Sequence, residues 1–250
     1  MTETPFRRAR SEEQRAVRRQ AILDTAATML TELPVAQVSL NELSRRVGLA
    51  KSNVLRYFES REAVLLELLG SAQRDWLAGL EEEFAAEVDD GATVAERADR
   101  VAAVLAGSLA ARPVLCDLIS AQAAVLERNV SAEVAAQYKR AAIANVMELG
   151  RLIEERVPEL DTHHAGRVAA GTLLVTGAIW THAQPSAAML AAYEADPELA
   201  ALRLDFTATL REMLQVLLAG VLAGGGDPAP RDGDVTPRGR GRGNPAPPAP

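Results

Sequence analysis

Lys51, Ser52 and Asn53 stand directly before the apolar pair Val54 and Leu55, and Arg56, Tyr57 and Arg61 follow closely. Those residue types suit the edges of base pairs. Lysine donates to guanine O6 and N7, asparagine pairs with adenine N6 and N7, and serine serves either. Leu55, if Val54 is the buried one, offers an apolar contact to a thymine methyl. So many cations, amides and hydroxyls beside core residues have two readings. One is a solvated helix with a few apolar anchors. The other is a short helix that presents its polar end, with free amides and a positive dipole, to something anionic.

The second reading needs elements that hold the short helix in place. The spacing predicts a helix over 39–46, a turn at Val47, Gly48 and Leu49, and a second helix over 50–56, which is a helix-turn-helix pattern. Ser39 and Glu42 match a capping box, and Gly48 supplies a left-handed C-terminal turn. Leu43, Val47, Val54 and Phe58 are expected to pack on Ile22, Ala26 and Leu30 of a first helix over 11–32. A plain helical corner carries the same glycine and the same apolar spacing, so the pattern alone leaves both readings open.

Further helices are expected from Ser60, a candidate N-cap, to 88, then over 93–111, 114–129, 131–156, 161–183 and 196–223. Pro34, Pro113, Pro158 and Pro185 punctuate them, and Pro197 suits a first helical turn. The fold class is therefore all-α, with nine helices and no strand. Apolar residues make up 48% and aromatics 4% of the chain, rich in Ala and Leu, which favours helices over sheets.

Charge is divided along the chain. The formal net charge is −7, yet residues 1–62 hold 11 Lys/Arg and 8 Asp/Glu, a net of +3, while the remainder holds 16 and 26, a net of −10. Such segregation points to two tasks. Arg7, Arg8 and Arg10 form an N-terminal basic cluster that either reaches into a minor groove or frays in water. Residues 224–250 contain seven Gly and seven Pro and are expected to be disordered. Arg238, Arg240 and Arg242 in that tail offer at most non-specific contact with nucleic-acid phosphates. The single cysteine, Cys116, fits a reducing cytoplasm and excludes an intrachain disulfide. No signal peptide is visible, and no apolar run is long enough to read as a membrane span, the best being 172–180.

Enzyme readings fail on inventory. His163 and His164 are adjacent and point apart on a helix, and His182 lies too far along the same helix to share a metal with them. Glu81, Glu82 and Glu83 read as a surface charge run, and no Gly-rich phosphate loop occurs. No catalytic residue, metal or cofactor is called for.

Residues 14–66 resemble the TetR family of bacterial transcriptional regulators. The resemblance is carried by "VGLAKSNVLRYFESREAVL": the Gly48 turn, the three polar residues before Val54, the Tyr57-Phe58 pair and the Ser60-Arg61-Glu62-Ala63 start of the next helix. It implies that Lys51, Ser52 and Asn53 read bases and that Leu55 and Arg56 face the groove. It also implies that Tyr57 and Arg61 grip phosphates and that Ser39 opens its helix beside one. Two departures stand out: Ala50 replaces a frequent capping serine, and Leu55 a frequent tyrosine.

For the rest of the chain the resemblance implies dimerisation and a regulatory ligand. The expected organisation is an arm over 1–10, a DNA-binding domain over 11–60, a ligand-binding and dimerisation domain over 61–223 and a tail over 224–250. Residues 172–180 are apolar on almost every side, and a helix apolar all round must be covered all round. With the last helix, and with Gly166, Gly171 and Gly177 permitting close approach, they are expected to form a four-helix homodimer interface. A small apolar effector is expected among the helices over 67–156. Trp76, Leu80, Phe84, Leu105, Leu109, Leu115, Ile119 and Tyr138 are candidate walls, and Cys116, Gln122 and Asn145 candidate polar contacts. The partners so implied are a double-stranded DNA operator, a second copy and an unidentified effector, with no membrane. The alternative is a nucleoid-type structural DNA binder with no effector.

Overall fold

The computed structural model describes residues 5–224 of the protein, with side chains described from residue 12. The N-terminal cluster's side chains and the 225–250 part of the Gly/Pro/Arg tail lie outside the described residues. Within them the chain is all-α. Four helices come first: α1 Pro5–Glu32, α2 Leu40–Val47, α3 Lys51–Val54 and α4 Arg61–Glu87. Seven follow: α5 Val94–Ala110, α6 Pro113–Ala121, α7 Ala132–Arg156, α8 Thr162–Ala183, α9 Ala187–Ala195, α10 Pro197–Ala200 and α11 Phe206–Gly224.

The expected count of nine is therefore corrected to eleven among the described residues. α1 begins at Pro5 rather than near Ser11. The helix expected over 114–129 ends at Ala121, and a 3-10 turn at Leu126–Arg128 completes that stretch. The last expected helix is split at residues 201–205, where Asp205 caps the Ala208 amide of α11 at 2.7 Å. α9 was not expected because it has no amphipathic contrast: none of its residues is buried, nor are any of α10.

Local chemistry sets most boundaries. Ser39, Ser60, Ser131, Asp161 and Ser186 each accept a backbone N–H of the helix they open. Thr93 and Glu96 form the one complete capping box among the described residues. At α2 only half of the expected box is made. Ser39 Oγ accepts from Glu42 N at 3.2 Å, but the Glu42 carboxylate accepts from Arg45 and Arg46 instead.

A first cluster joins α1, α2, α3 and the start of α4 around Ile22, Ala26, Met29, Leu43, Val54 and Phe58. The core runs along α4 into a second cluster of α4–α8 and α11. There Trp76 is fully buried and its indole N–H donates to Ser108 Oγ at 3.0 Å. α7 and α8 pack so closely that a Cβ on Gly150 would lie 3.3 Å from the Gly166 backbone. Gly171 and Gly177 are expected to let another helix approach closely. They admit this chain's own neighbours: a Cβ at Gly171 would meet Leu217 of α11 at 3.2 Å, and one at Gly177 would meet Ile119 of α6 at 3.3 Å.

α11 is the one described helix long and apolar enough by length and composition to cross a membrane, against the expectation of none. It buries Leu210, Leu214 and Leu218 against α5 and α8 and leaves Met213 and Val216 exposed.

Candidate functional site

α2 ends at Gly48, whose φ of 71° lies in the left-handed region that costs glycine little. Its N–H returns to Arg45 O at 3.3 Å, and the Leu49 N–H to Ser44 O at 3.0 Å. The chain then turns into α3 at Ala50, which offers no side-chain cap. After Val54, backbone bonds from Arg56 to Asn53, Tyr57 to Val54 and Phe58 to Val54 carry the winding on as turns.

Burial on this segment is one-sided. Val54 is 0% exposed and Phe58 is buried, whereas Lys51, Ser52, Asn53 and Arg56 are exposed and Leu55 is 41% exposed. The face so formed has donors, an amide, two cations and one apolar contact, which is what direct reading of base edges uses.

Arg19 of α1 supports that face from behind. It donates to Tyr57 O at 2.7 Å, lies 4.0 Å over the Phe58 ring and pairs with Glu67 of α4. Nothing local in the sequence marked it among the Arg-rich lead-in. Arg15 and Arg18 of α1 are exposed and border a groove of about 830 Å³ together with Arg56 and Tyr57. They add positive charge beside the exposed face of α3.

Arg61 opens α4 and is partly buried. Its guanidinium donates to Val38 O at 2.8 Å and to Glu62 at 3.2 Å, so it ties the start of α4 to the strand-like link before α2. Ser39 is exposed at the start of α2. Glu42, next to it, is held by hydrogen bonds from Arg45 and then Arg46, which lower its carboxyl to about 2.

Two further bonds connect this region to the helices beyond α4. The Val35 N–H donates to Asp117 Oδ2 of α6 at 2.7 Å, and the Ser131 N–H at the start of α7 donates to Glu59 Oε1 at 2.6 Å.

The candidate effector residues divide into two sets. Trp76, Leu80, Phe84, Leu109 and Cys116 are buried in the core around α4, α5 and α6 rather than along a groove. The Cys116 thiol donates to Leu109 O at 3.3 Å, and burial, then Asp117, pushes its pKa up to about 12, so it is inert. Leu105 and Leu115 are core as well. Ile119, Gln122 and Tyr138, by contrast, line a groove of about 520 Å³ between α4, α6, α7 and α8. Asn145 stands behind it and donates to Gln73 Oε1, on the groove wall, at 3.1 Å. The walls missed by the sequence reading are Ala142, Ile143, Val146, Met147, Leu173 and Leu174. The α7 and α8 periodicity contained them, but only the crossing of the two helices brings them together.

A left-handed glycine turn between a capped helix and a short helix that buries a single side chain belongs to the helix-turn-helix class of DNA-binding proteins. Comparison with known proteins narrows the class. Residues 22–68 match the family model described as bacterial regulatory proteins, tetR family, and residues 71–225 the one described as tetracyclin repressor-like, C-terminal domain. The chain belongs to the TetR family of bacterial transcriptional regulators, whose members bind DNA and are not enzymes.

Among curated relatives, the HTH-type transcriptional regulator EthR of Mycobacterium tuberculosis is 43% identical over 49 residues, 20% of this chain and 23% of the relative. The match thus spans less than a quarter of that protein's length. Solved structures show the fold. A possible TetR-family regulator from Streptomyces coelicolor A3(2) superposes with a TM-score of 0.53 at 17% identity, over 82% of this chain and 98% of that one. A putative TetR-family regulator from Mesorhizobium loti MAFF303099 gives 0.50 at 13% identity, over 84% and 96%.

Proposed function

We propose that the protein is a ligand-responsive transcriptional repressor that binds a palindromic operator as a homodimer and leaves it when a small, mostly apolar effector binds. Residues 11–60 form the DNA-binding unit and 61–223 the effector and dimerisation unit. The observation that carries the reading is the pairing of an exposed recognition face on α3 with an apolar groove on helices joined to it through α4.

In this reading Lys51, Ser52 and Asn53 contact bases, Leu55 and Arg56 line the major groove, and Tyr57 and Ser39 contact phosphates. Arg61 contacts phosphate as well and ties the start of α4 to Val38, and Arg15 and Arg18 extend the phosphate contacts. Ile119, Gln122 and Tyr138 contact the effector with Asn145 behind them, and the five core residues shape the wall from further back. The homodimer forms through α8 and α11, where Leu174, which also stands at the groove mouth, is 76% and Val216 64% exposed. A two-fold axis then sets the two recognition helices about one turn of DNA apart or a multiple of it.

Selection of random duplexes by the purified protein tests this. The expected result is a two-fold-symmetric site protected by a dimer. Coating of DNA with little sequence preference would instead establish the nucleoid-type alternative, and asymmetric footprints from a monomer would remove the dimer.

A further inference from the structure

Tyr138 of α7 is 6% exposed, and its hydroxyl is the one buried side-chain polar atom among the described residues without a hydrogen-bond partner. Buried hydroxyls are nearly always paired, because an unpaired one loses its hydration and gains nothing. Its ring stands in the wall of the 520 Å³ groove and also borders a second cavity of about 530 Å³ beside α1 and the start of α4. A second polar group borders the same groove. Gln73 of α4 accepts from Asn145 Nδ2 through its oxygen, which leaves its amide nitrogen, a donor, for the groove. The groove is therefore bordered by two residues with a donor to spare and by apolar walls.

Its charges select further. Lys139 is the cation on the groove wall, and it is paired with Glu127 at 3.2 Å. Glu127 also accepts from Gln122 Nε2 at 2.8 Å. Burial raises the Glu127 pKa, but those two hydrogen bonds outweigh it and hold the carboxylate ionised. Burial and then this carboxylate raise the pKa of Tyr138, so the phenol stays protonated and can only donate to an added acceptor. A ligand carboxylate would meet the Glu127 charge with no free cation to offset it.

We propose that this groove takes a neutral molecule, an apolar body bearing one accepting oxygen as in a ketone, ester or lactone, and that Tyr138 donates to that oxygen. The inference rests on the effector reading above and assigns that site its ligand chemistry. A groove of this volume is sized for a small organic molecule, and a neutral acceptor is the head group that satisfies Tyr138 and Gln73 without adding charge.

Calorimetric titration of the full chain with 2-undecanone and with undecanoate tests it, since the two share chain length and differ in head group. The ketone is expected to bind about tenfold tighter, because the carboxylate must give up its hydration beside the ionised Glu127. Tyr138→Phe is expected to lose about that factor for the ketone, to bind undecanoate as before, and to melt no lower than the unmodified protein. Ala142→Phe, which fills the groove, is expected to abolish both. Equal or tighter binding of undecanoate overturns the inference and leaves the effector groove standing, as does full ketone affinity in Tyr138→Phe. No binding of either probe, or binding untouched by Ala142→Phe, removes the groove reading and the inference with it.

Discussion

Replacing Arg19 with leucine is expected to destabilise the protein by about 2 kcal/mol and to weaken its grip on every DNA sequence alike. The magnitude follows from what the guanidinium does. Its hydrogen bond to the Tyr57 carbonyl, 2.7 Å long, is charge-assisted and contributes about 1–1.5 kcal/mol net. Its place 4.0 Å over Phe58 adds about 0.5–1 kcal/mol. The Glu67 pair is about one-third exposed on each side and adds at most about 0.5 kcal/mol. Leucine keeps part of the aliphatic packing and recovers a fraction of the loss. In urea this change lowers the unfolding midpoint by somewhat under about 1 M. Arg15→Leu, on the same helix but exposed, is the control and should shift stability by less than about 0.5 kcal/mol. The DNA effect has a separate cause: a freed Tyr57 carbonyl lets Tyr57 move, and phosphate contacts carry little direct sequence information. Urea unfolding of both variants and binding to a panel of duplexes measure the two effects. Arg19→Leu unfolding at the same urea concentration as Arg15→Leu, or binding every duplex as tightly as the unmodified protein, would refute the reasoning.

Asn53→Ala is expected to relax base preference at one symmetric pair of positions by about 1–3 kcal/mol per lost bidentate contact, whereas Tyr57→Phe weakens all sequences uniformly; identical changes in the two binding profiles would reject the roles. Ser108→Val leaves the Trp76 indole N–H unpaired in the core and should cost about 1–3 kcal/mol, read by thermal unfolding, with a fluorescence shift of the buried indole. Glu42 gives a pH signature. Its folded-state carboxyl at about 2 lies below the unfolded value of about 4.3, so the stability it contributes is complete above the unfolded value and is lost as pH falls toward the folded one. The melting difference between the unmodified protein and Glu42→Gln should be present at pH 6 and gone near pH 2, and a difference that grows on acidification would contradict the assigned partners.

The parts legible in the sequence are those fixed by neighbouring residues. Gly48 needs only its own backbone to signal a turn, Ser39 and Ser60 only the next helical amides, and Val54 against Leu55 only a period of 3.6. What stayed illegible depends on distant partners. Arg61 looks like any exposed cation until Val38 O is placed beside it. Trp76 reads as a groove wall until Ser108 takes its N–H. Gly171 and Gly177 permit a close helix, but which helix comes close is decided by the packing of α6 and α11. The α9–α10 segment failed for another reason: its residues touch little else in the chain, so burial leaves no periodic trace there.

Val54 is the one residue between 51 and 56 that the hydrophobic core requires. Its five neighbours there are bystanders in folding. On the proposed roles, mutations at them are screened by DNA and hardly at all by unfolding, so after gene duplication a descendant can acquire a new target sequence in single steps without passing through an unfolded intermediate. The same separation makes the segment a practical place to reprogram, because a library over those five positions keeps the scaffold constant while the recognised sequence changes.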